Sequence, residues 1–118
     1  MRIAAGDTAW DVEEARGYWP RFRGLMLRAK LEDGHGLLIE PCSSIHMMFM
    51  RFSLDVVFYD RDHRVTRVGR HVRPWIGMAW GGRGARGVLE LPSNSASSVR
   101  PGDLLEWDLP DGTSRGAP

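Results

Sequence analysis

The feature that most constrains the fold is a series of short strand-like segments that follow one another closely. The strongest is Leu54–Tyr59, which is rich in β-branched and aromatic residues. Residues 36–40 and 88–91 are apolar runs ended by prolines, and residues 105–109 alternate apolar and acidic side chains. The intervals leave little room for βαβ crossovers. We therefore predict a mainly β protein, close to the α+β class, with a small antiparallel sheet or a partly open barrel or sandwich.

The remaining segments predict one short helix and several less regular regions. The helix begins at Pro20, because four apolar residues follow with the i, i+3, i+4, i+7 spacing of one helical stripe: Phe22, Leu25, Met26 and Ala29. Residues 1–12 predict one or two short strands, and residues 45–49 predict another. Residues 73–87 are rich in glycine and are predicted to form a long loop, and residues 111–118 a frayed tail.

Length and composition fit one globular domain. The chain has 118 residues, of which 42% are hydrophobic and 26% charged, so we expect a single domain over residues 1–118. The longest apolar run is far shorter than the roughly 20 residues that cross a bilayer, so no membrane association is expected. The only cysteine, Cys42, excludes an internal disulfide. Together with acidic residues where a signal peptide would be apolar, this favours a cytoplasmic protein.

Three glycines match the nucleotide-binding pattern G-x-G-x-x-G: Gly82, Gly84 and Gly87. That fingerprint requires a strand before it and a helix after it, whereas here a tryptophan-containing loop precedes it and a strand-like run follows. We therefore expect neither a dinucleotide nor any other cofactor. Closely spaced glycines also form backbone nests for anions, which Arg83 and Arg86 would assist.

Four motifs occur in an order typical of a known family. They are Arg23–Met26 (RGLM), residues 41–58 (PCSSIHMMFMRFSLDVVF), residues 88–92 (VLELP) and residues 102–107 (GDLLEW). Over residues 21–107 the chain resembles domain of unknown function family 192, a family of small bacterial and archaeal domains. The resemblance implies a compact, mostly β single domain and no established activity. The positions that match the family's recurrent pattern are Arg23, Gly24, Asp55, Glu90, Gly102 and Asp103.

The leading functional hypothesis is a non-enzymatic module that binds a small ligand or a peptide in a polar pocket formed by Arg23, Asp55 and Glu90. Asp55 and Glu90 are carboxylates in otherwise apolar strands. A buried carboxylate requires a cationic or hydrogen-bonding partner, which Arg23 or Arg51 would supply. The structural alternative is an ion pair and a turn cap without a ligand.

A second hypothesis is binding of nucleic acid or another anion through residues 70–86. Arginines and tryptophans interleave there, and single-stranded nucleic acids are bound through cations for phosphate and rings for stacking. The net charge of only +1 argues against a dedicated nucleic-acid-binding protein. The residues concerned are Arg70, Arg73, Trp75, Trp80, Arg83 and Arg86.

A third hypothesis is a hydrolase-like enzyme with Cys42 as nucleophile, His46 as base and Asp55 as its partner. Residues four apart in one strand lie about 13 Å apart, so Cys42 and His46 meet only if the serines between them form a turn. The alternative is a buried structural cysteine, and we favour a protein without catalytic activity. No diagnostic spacing of histidines, cysteines or acids predicts a metal site. The sequence does not specify the oligomeric state.

Overall fold

The computed structural model describes residues 1–15, 32–42, 44–46 and 52–108. Nine strands lie in this part of the chain: β1 (Arg2–Ala5), β2 (Thr8–Ala15), β3 (His35–Ile39), β4 (Ser44–His46), β5 (Leu54–Tyr59), β6 (Val65–Val72), β7 (Met78–Trp80), β8 (Gly87–Pro92) and β9 (Glu106–Asp108). The described residues contain no helix, and the fold is mainly β, as predicted.

Seven strands form one sheet in the order β6-β5-β8-β3-β2-β1-β9, and β4 and β7 form a second, small sheet. Neighbouring strands are antiparallel except for β2 and β3, which are parallel. Parallel neighbours require a crossover connection in the chain between them. The helix predicted over residues 20–29 falls in this interval and lies outside the described residues.

The large sheet curls so that its two ends approach each other. An isolated bridge joins Arg64, just before β6, to Leu104, just before β9. The Val65 amide donates to the Asp103 carbonyl at 2.8 Å, and the Gly102 amide donates to the Val65 carbonyl at 2.8 Å. These bonds link strands from opposite ends of the sheet, and the architecture is a partly open barrel.

Two apolar clusters cover the two faces of the large sheet. All six residues of β5 and all six of β8 are buried, because these strands are covered on both faces. The inner cluster fills the curl and includes Ile3, Trp10, Leu38, Val57, Tyr59, Leu89, Leu91 and Trp107. The outer cluster lies between the large sheet and the small sheet, and consists of Leu37, Ile39, Ile45, Leu54, Val56, Phe58, Val72 and Val88.

The small sheet crosses the outside of the large sheet at β5 and β6. A Cβ atom on Gly69 in β6 would lie 2.9 Å from Val56 Cγ2 and 3.4 Å from Ala79 Cβ, so β7 and β5 meet over this glycine. Since Ala79 faces inward, its strand neighbours Met78 and Trp80 face outward and are exposed. Residues 73–87 therefore contain a strand, which corrects the prediction of a long loop.

The other expectations have mixed outcomes. Residues 1–12 form two strands, of which the second runs on to Ala15. The strand predicted at 45–49 begins at Ser44 and is described as far as His46, and β8 includes Pro92, which pairs with Leu54. Residues 111–118 lie outside the described residues, and a single domain remains a prediction. Within the described residues, no helix is long and apolar enough to span a membrane.

Candidate functional site

Asp55 is buried on the inner face of the large sheet, where only 1% of it is exposed. Its Oδ1 accepts a hydrogen bond from the His71 amide at 2.8 Å, and its Oδ2 accepts one from the Ala96 amide at 3.0 Å. The predicted partners, Arg23 and Arg51, lie outside the described residues. Backbone amides satisfy this carboxylate, and one of them belongs to His71, a residue with positive φ beside a β-bulge. Asp55 therefore has a clear structural role.

Glu90 is also buried, with 8% exposed, but it lies on the opposite face of the same sheet. Its register partners are Leu37 in β3 and Val56 in β5, both of the outer cluster, whereas Asp55 pairs with Leu91 of the inner cluster. Adjacent residues in a strand point to opposite faces, so the sheet separates the two carboxylates. Burial raises the pKa of Glu90 from its ordinary value of 4.5 to about 7. Asp55 and Glu90 do not form one pocket.

Cys42 lies at the edge of the outer cluster and is half-buried. Its thiol donates to the Ser44 carbonyl at 3.1 Å, and its amide donates to the Arg86 carbonyl at 2.8 Å. Asp55 faces the inner cluster, on the other side of the large sheet, so Cys42 and Asp55 are not brought together. The His46 backbone pairs with Met78 in the small sheet. The structure describes the backbone of His46 but not its side chain. The described residues do not assemble the predicted nucleophile, base and acid.

Two of the predicted nucleic-acid-binding arginines are engaged within the protein. The Arg86 Nε donates to Glu40 Oε1 at 2.9 Å, and Glu40 Oε2 accepts a bond from the Tyr59 hydroxyl at 2.6 Å. Arg70 donates to the Val99 carbonyl. Burial and the bond to Glu40 raise the pKa of the Tyr59 hydroxyl well above its ordinary value. No local sequence pattern predicted this tyrosine–glutamate–arginine cluster, because its members come from three separate segments.

Arg73 and Arg83 are exposed, and no acidic side chain pairs with either of them in the described ranges. The same holds for Arg67 in β6, which the sequence analysis did not select. A Cβ atom on Gly82 would lie 2.9 Å from the Arg67 Nε, so this side chain lies against the loop that carries Arg83. The sequence signal for Arg67 was weak, because its neighbours in β6, Thr66 and Val68, are only half-buried.

Large apolar side chains stand beside these arginines. The exposed fractions are 56% for Trp75, 74% for Ile76, 55% for Met78 and 57% for Trp80. We call these four residues, together with Arg67, Arg73 and Arg83, the β7 surface. Trp75 and Trp80 were predicted site residues, whereas Ile76 and Met78 were not. Among the described residues, no group of three histidines, cysteines or acids is arranged to hold a metal ion.

Comparison with known proteins identifies the family. The model of domain of unknown function family 192 (DUF192, "Uncharacterized ACR") matches residues 1–107, which is most of the chain. The chain belongs to this family. The match begins at residue 1, so it includes β1 and β2, which lie before the residues that suggested the resemblance.

Curated relatives carry the family name UPF0127. A protein from Thermococcus sibiricus is 32% identical over 104 residues, covering 83% of this chain and 66% of its own length. One from Thermococcus gammatolerans is 33% identical over 117 residues, covering 91% of this chain and 72% of its own length. The chain thus spans slightly less than two thirds of the first of these relatives.

Two crystal structures share the fold. A protein of unknown function from Novosphingobium aromaticivorans has a TM-score of 0.81 and 25% identity, with 90% of this chain and 84% of that chain covered. A protein described as a "putative transcription regulator" from Sinorhizobium meliloti has a TM-score of 0.77 and 25% identity, with 89% of each chain covered.

Proposed function

We propose that this DUF192 protein is a non-enzymatic docking module that binds an acidic, partly apolar peptide segment of a protein partner through the β7 surface. The observation that carries the proposal is the exposure of Trp75, Ile76, Met78 and Trp80 side by side in one short stretch. This keeps peptide binding, the leading hypothesis from the sequence, and moves it from the polar pocket to the outer face of the small sheet.

Exposed apolar side chains that lie together mark sites of interaction. In the same strand it is the small residue, Ala79, that faces inward and packs on the outer cluster. The large apolar residues on either side of it, Met78 and Trp80, face solvent. Tryptophan and arginine are also the residue types that contribute most to binding energy at protein interfaces. The β7 surface has both, with four exposed apolar side chains and three exposed arginines.

The charge of the β7 surface favours an acidic partner. Residues 64–89 contain six arginines and no acidic residue. Arg64, Arg70 and Arg86 bond to groups of the protein itself, whereas Arg67, Arg73 and Arg83 have no acidic partner among the described residues. Positive charge that is not neutralised within a protein speeds association with acidic partners and selects against basic ones.

Single-stranded nucleic acid is the second candidate, and two observations favour it. Trp80 is exposed and can stack on a base, and the β7 surface also has arginines, which suit phosphate. The structurally similar protein from Sinorhizobium meliloti is described as a "putative transcription regulator". The peptide is preferred because Ile76 and Met78 have no role in base stacking and because the net charge of the chain is only +1. We further propose a cytoplasmic location, since a chain with a single cysteine, Cys42, has no internal disulfide that would need an oxidising compartment.

Fluorescence anisotropy with three labelled probes tests this function on the full chain. The probes are a short peptide in which acidic residues alternate with leucine and phenylalanine, the same peptide with lysine at the acidic positions, and single-stranded oligothymidylate. We expect binding of the acidic peptide alone, weaker at high salt. Trp80→Ala should weaken it about tenfold or more, as expected for an interface hot spot. A double Arg73→Ala and Arg83→Ala variant should weaken it most at low salt.

Arg2→Ala is the matched control, because it removes one exposed positive charge from β1, away from the β7 surface. The Arg2→Ala variant should bind the acidic peptide with the same affinity as the unmodified protein. Preferential binding of oligothymidylate that is lost in the double arginine variant would establish the nucleic-acid alternative instead. If none of the three probes binds, or if Trp80→Ala binds unchanged, the β7 surface is not a docking site.

A further inference from the structure

The small sheet has an open edge. It contains only β4 and β7, which pair over three residues. β7 therefore has a strand on one side and none on the other. Among the described residues, no backbone hydrogen bond joins this second side to another segment, and Met78, Ala79 and Trp80 have no hydrogen bond beyond those to β4. The large sheet differs, because its central strands pair on both sides.

The orientation of β7 makes the open edge available for pairing. Ala79 is turned toward Gly69 in β6, so the small sheet lies flat on the large one and its backbone N–H and C=O groups point sideways. In an antiparallel pair these groups alternate between the two sides from one residue to the next. At least one residue of Met78–Trp80 therefore directs both groups toward the open edge. Such an edge is a template for a further strand.

The charges around β7 select the strand that pairs there. The Gly77 amide donates to the Arg73 carbonyl at 3.0 Å, so Arg73 lies at the beginning of β7, and Arg83 follows its end. Both arginines lack an acidic partner among the described residues. A second copy of β7 would bring the same arginines to the same edge, and like charges across a strand pair are unfavourable. An acidic segment would neutralise them instead.

The two faces of a strand added at this edge would meet different surroundings. Side chains on its outward face would lie beside Met78 and Trp80, which are exposed and apolar. Side chains on its other face would turn, like Ala79, toward the outer face of the large sheet. Arg67 lies on that face, because its register partner Phe58 belongs to the outer cluster. This arrangement favours a segment in which apolar and acidic residues alternate.

We propose that the acidic segment binds as a third strand of the small sheet, in extended conformation along the open edge of β7. This inference rests on the proposed docking function and specifies how the partner is held. Main-chain hydrogen bonds to β7 supply affinity, and the alternating side chains supply specificity. The partner is therefore an extended acidic segment rather than an amphipathic helix.

Backbone N-methylation of the alternating acidic peptide tests this inference on the full chain, again by fluorescence anisotropy. In an added strand, every second amide of the peptide donates to β7. Methylation of one such amide removes a hydrogen bond and should weaken binding about tenfold or more. Methylation of the amides between them is the matched control, because these amides point away from β7. We expect it to change the affinity less than about threefold, so that the effect has a period of two residues along the peptide.

Hydrogen exchange of the β7 amides, measured by NMR on the same complex, gives an independent readout from the protein. The amide among Met78, Ala79 and Trp80 that faces the open edge should exchange quickly in the free protein. In the complex saturated with peptide it should exchange at least about tenfold more slowly, because it then donates to the added strand. The β7 amides that donate to β4 are the internal control and should be protected in both states.

Three results would overturn the inference. The first is equal weakening by methylation at every position of a peptide that binds, and the second is unchanged exchange of the edge amide in the complex. Both would leave the docking function in place. The third is protection of that amide that grows with protein concentration without peptide, which would identify a second copy of the chain as the occupant. If the unmethylated peptide does not bind, the docking function itself fails, and the inference fails with it.

Discussion

Asp55 and Glu90 occupy similar positions in the sequence, each an acid among apolar residues in a short strand. In the structure they differ in how many backbone amides donate hydrogen bonds to the carboxylate. The Asp55 carboxylate meets two amides, one from a bulge in β6 and one from the segment after β8. Glu90 meets the side chains of neighbouring regular strands, whose amides are used in the sheet. The difference in solvation follows from position rather than residue type.

The raised pKa of Glu90 predicts how stability changes with pH. Between its ordinary value of 4.5 and its folded value of about 7, the folded state holds a proton on Glu90 that the unfolded state has lost. Stability therefore falls as pH rises through this window. Relative to Glu90→Gln, which cannot ionise, the unmodified protein should lose about 3 kcal/mol between these limits. Urea unfolding of both proteins across this pH range measures the difference.

Above pH 7 the difference between the two proteins should remain constant, because Glu90 is then ionised in both states. Glu13→Gln is the control, since this glutamate is exposed and its replacement should leave the pH profile of the unmodified protein in place. A stability difference between Glu90→Gln and the unmodified protein that does not vary with pH would contradict the prediction.

At the scale of elements, the segment of residues 93–99 depends on the large sheet for its position. It has no ladder of its own and folds through turns, with bonds from the Ser95 amide to the Pro92 carbonyl and from the Val99 amide to the Ala96 carbonyl. Ala96 and Val99 are nevertheless buried in the inner cluster. Asp55 holds this segment to β5, and the same carboxylate stabilises the bulge at His71, so one side chain connects three elements.

Replacement of Asp55 with alanine should lower the free energy of unfolding by about 3 kcal/mol or more, because it leaves two backbone donors without their acceptor. Asp55→Asn should have a smaller effect, since the amide oxygen still accepts one of the two bonds. Urea unfolding at neutral pH is the measurement, and Asp11→Ala, at an exposed ion pair, should change stability by only about 0.5 kcal/mol. A loss of similar size in Asp11→Ala and Asp55→Ala would refute a special role for Asp55.

For the molecule as a whole, the barrel is held by contacts between distant parts of the chain. β9 pairs with β1, and the segment before β9 bonds to the start of β6. Trp107 of β9 stacks on His63 with ring centroids 4.0 Å apart and meets the edge of Tyr59 at 5.3 Å. This aromatic group lies where the two ends of the sheet approach each other, so it couples closure of the barrel to the inner cluster.

Trp107→Ala should therefore cost about 3–5 kcal/mol, the usual loss for a buried tryptophan. Trp80→Ala removes the same side chain from the β7 surface and should cost about 0.5 kcal/mol or less, because Trp80 is 57% exposed. Thermal and urea unfolding of the two variants provide the comparison. Equal losses would mean that Trp80 is covered in solution, and this would also remove the basis for the docking proposal.

The sequence by itself determined the class of fold and most of the strands. Alternation, β-branched residues and bounding prolines are local signals, and they located β3, β5, β8 and β9 to within a few residues. The family resemblance agreed with these signals and is confirmed over residues 1–107. β7 was missed because three residues between glycines carry too little local signal. Its pairing with β4 and its packing over Gly69 are what make it a strand.

Only the tertiary structure decided which side chains meet. Strand order placed Asp55 and Glu90 on opposite faces, and it gave Asp55 amide partners from residues 16 and 41 positions away. It paired Arg86 with Glu40 and left Arg67, Arg73 and Arg83 without an acidic partner among the described residues. The sequence pattern of a strand determines how its side chains alternate. Which face of the sheet each side chain occupies, and whether a charged one meets an opposite charge, depends on which distant strands lie beside it.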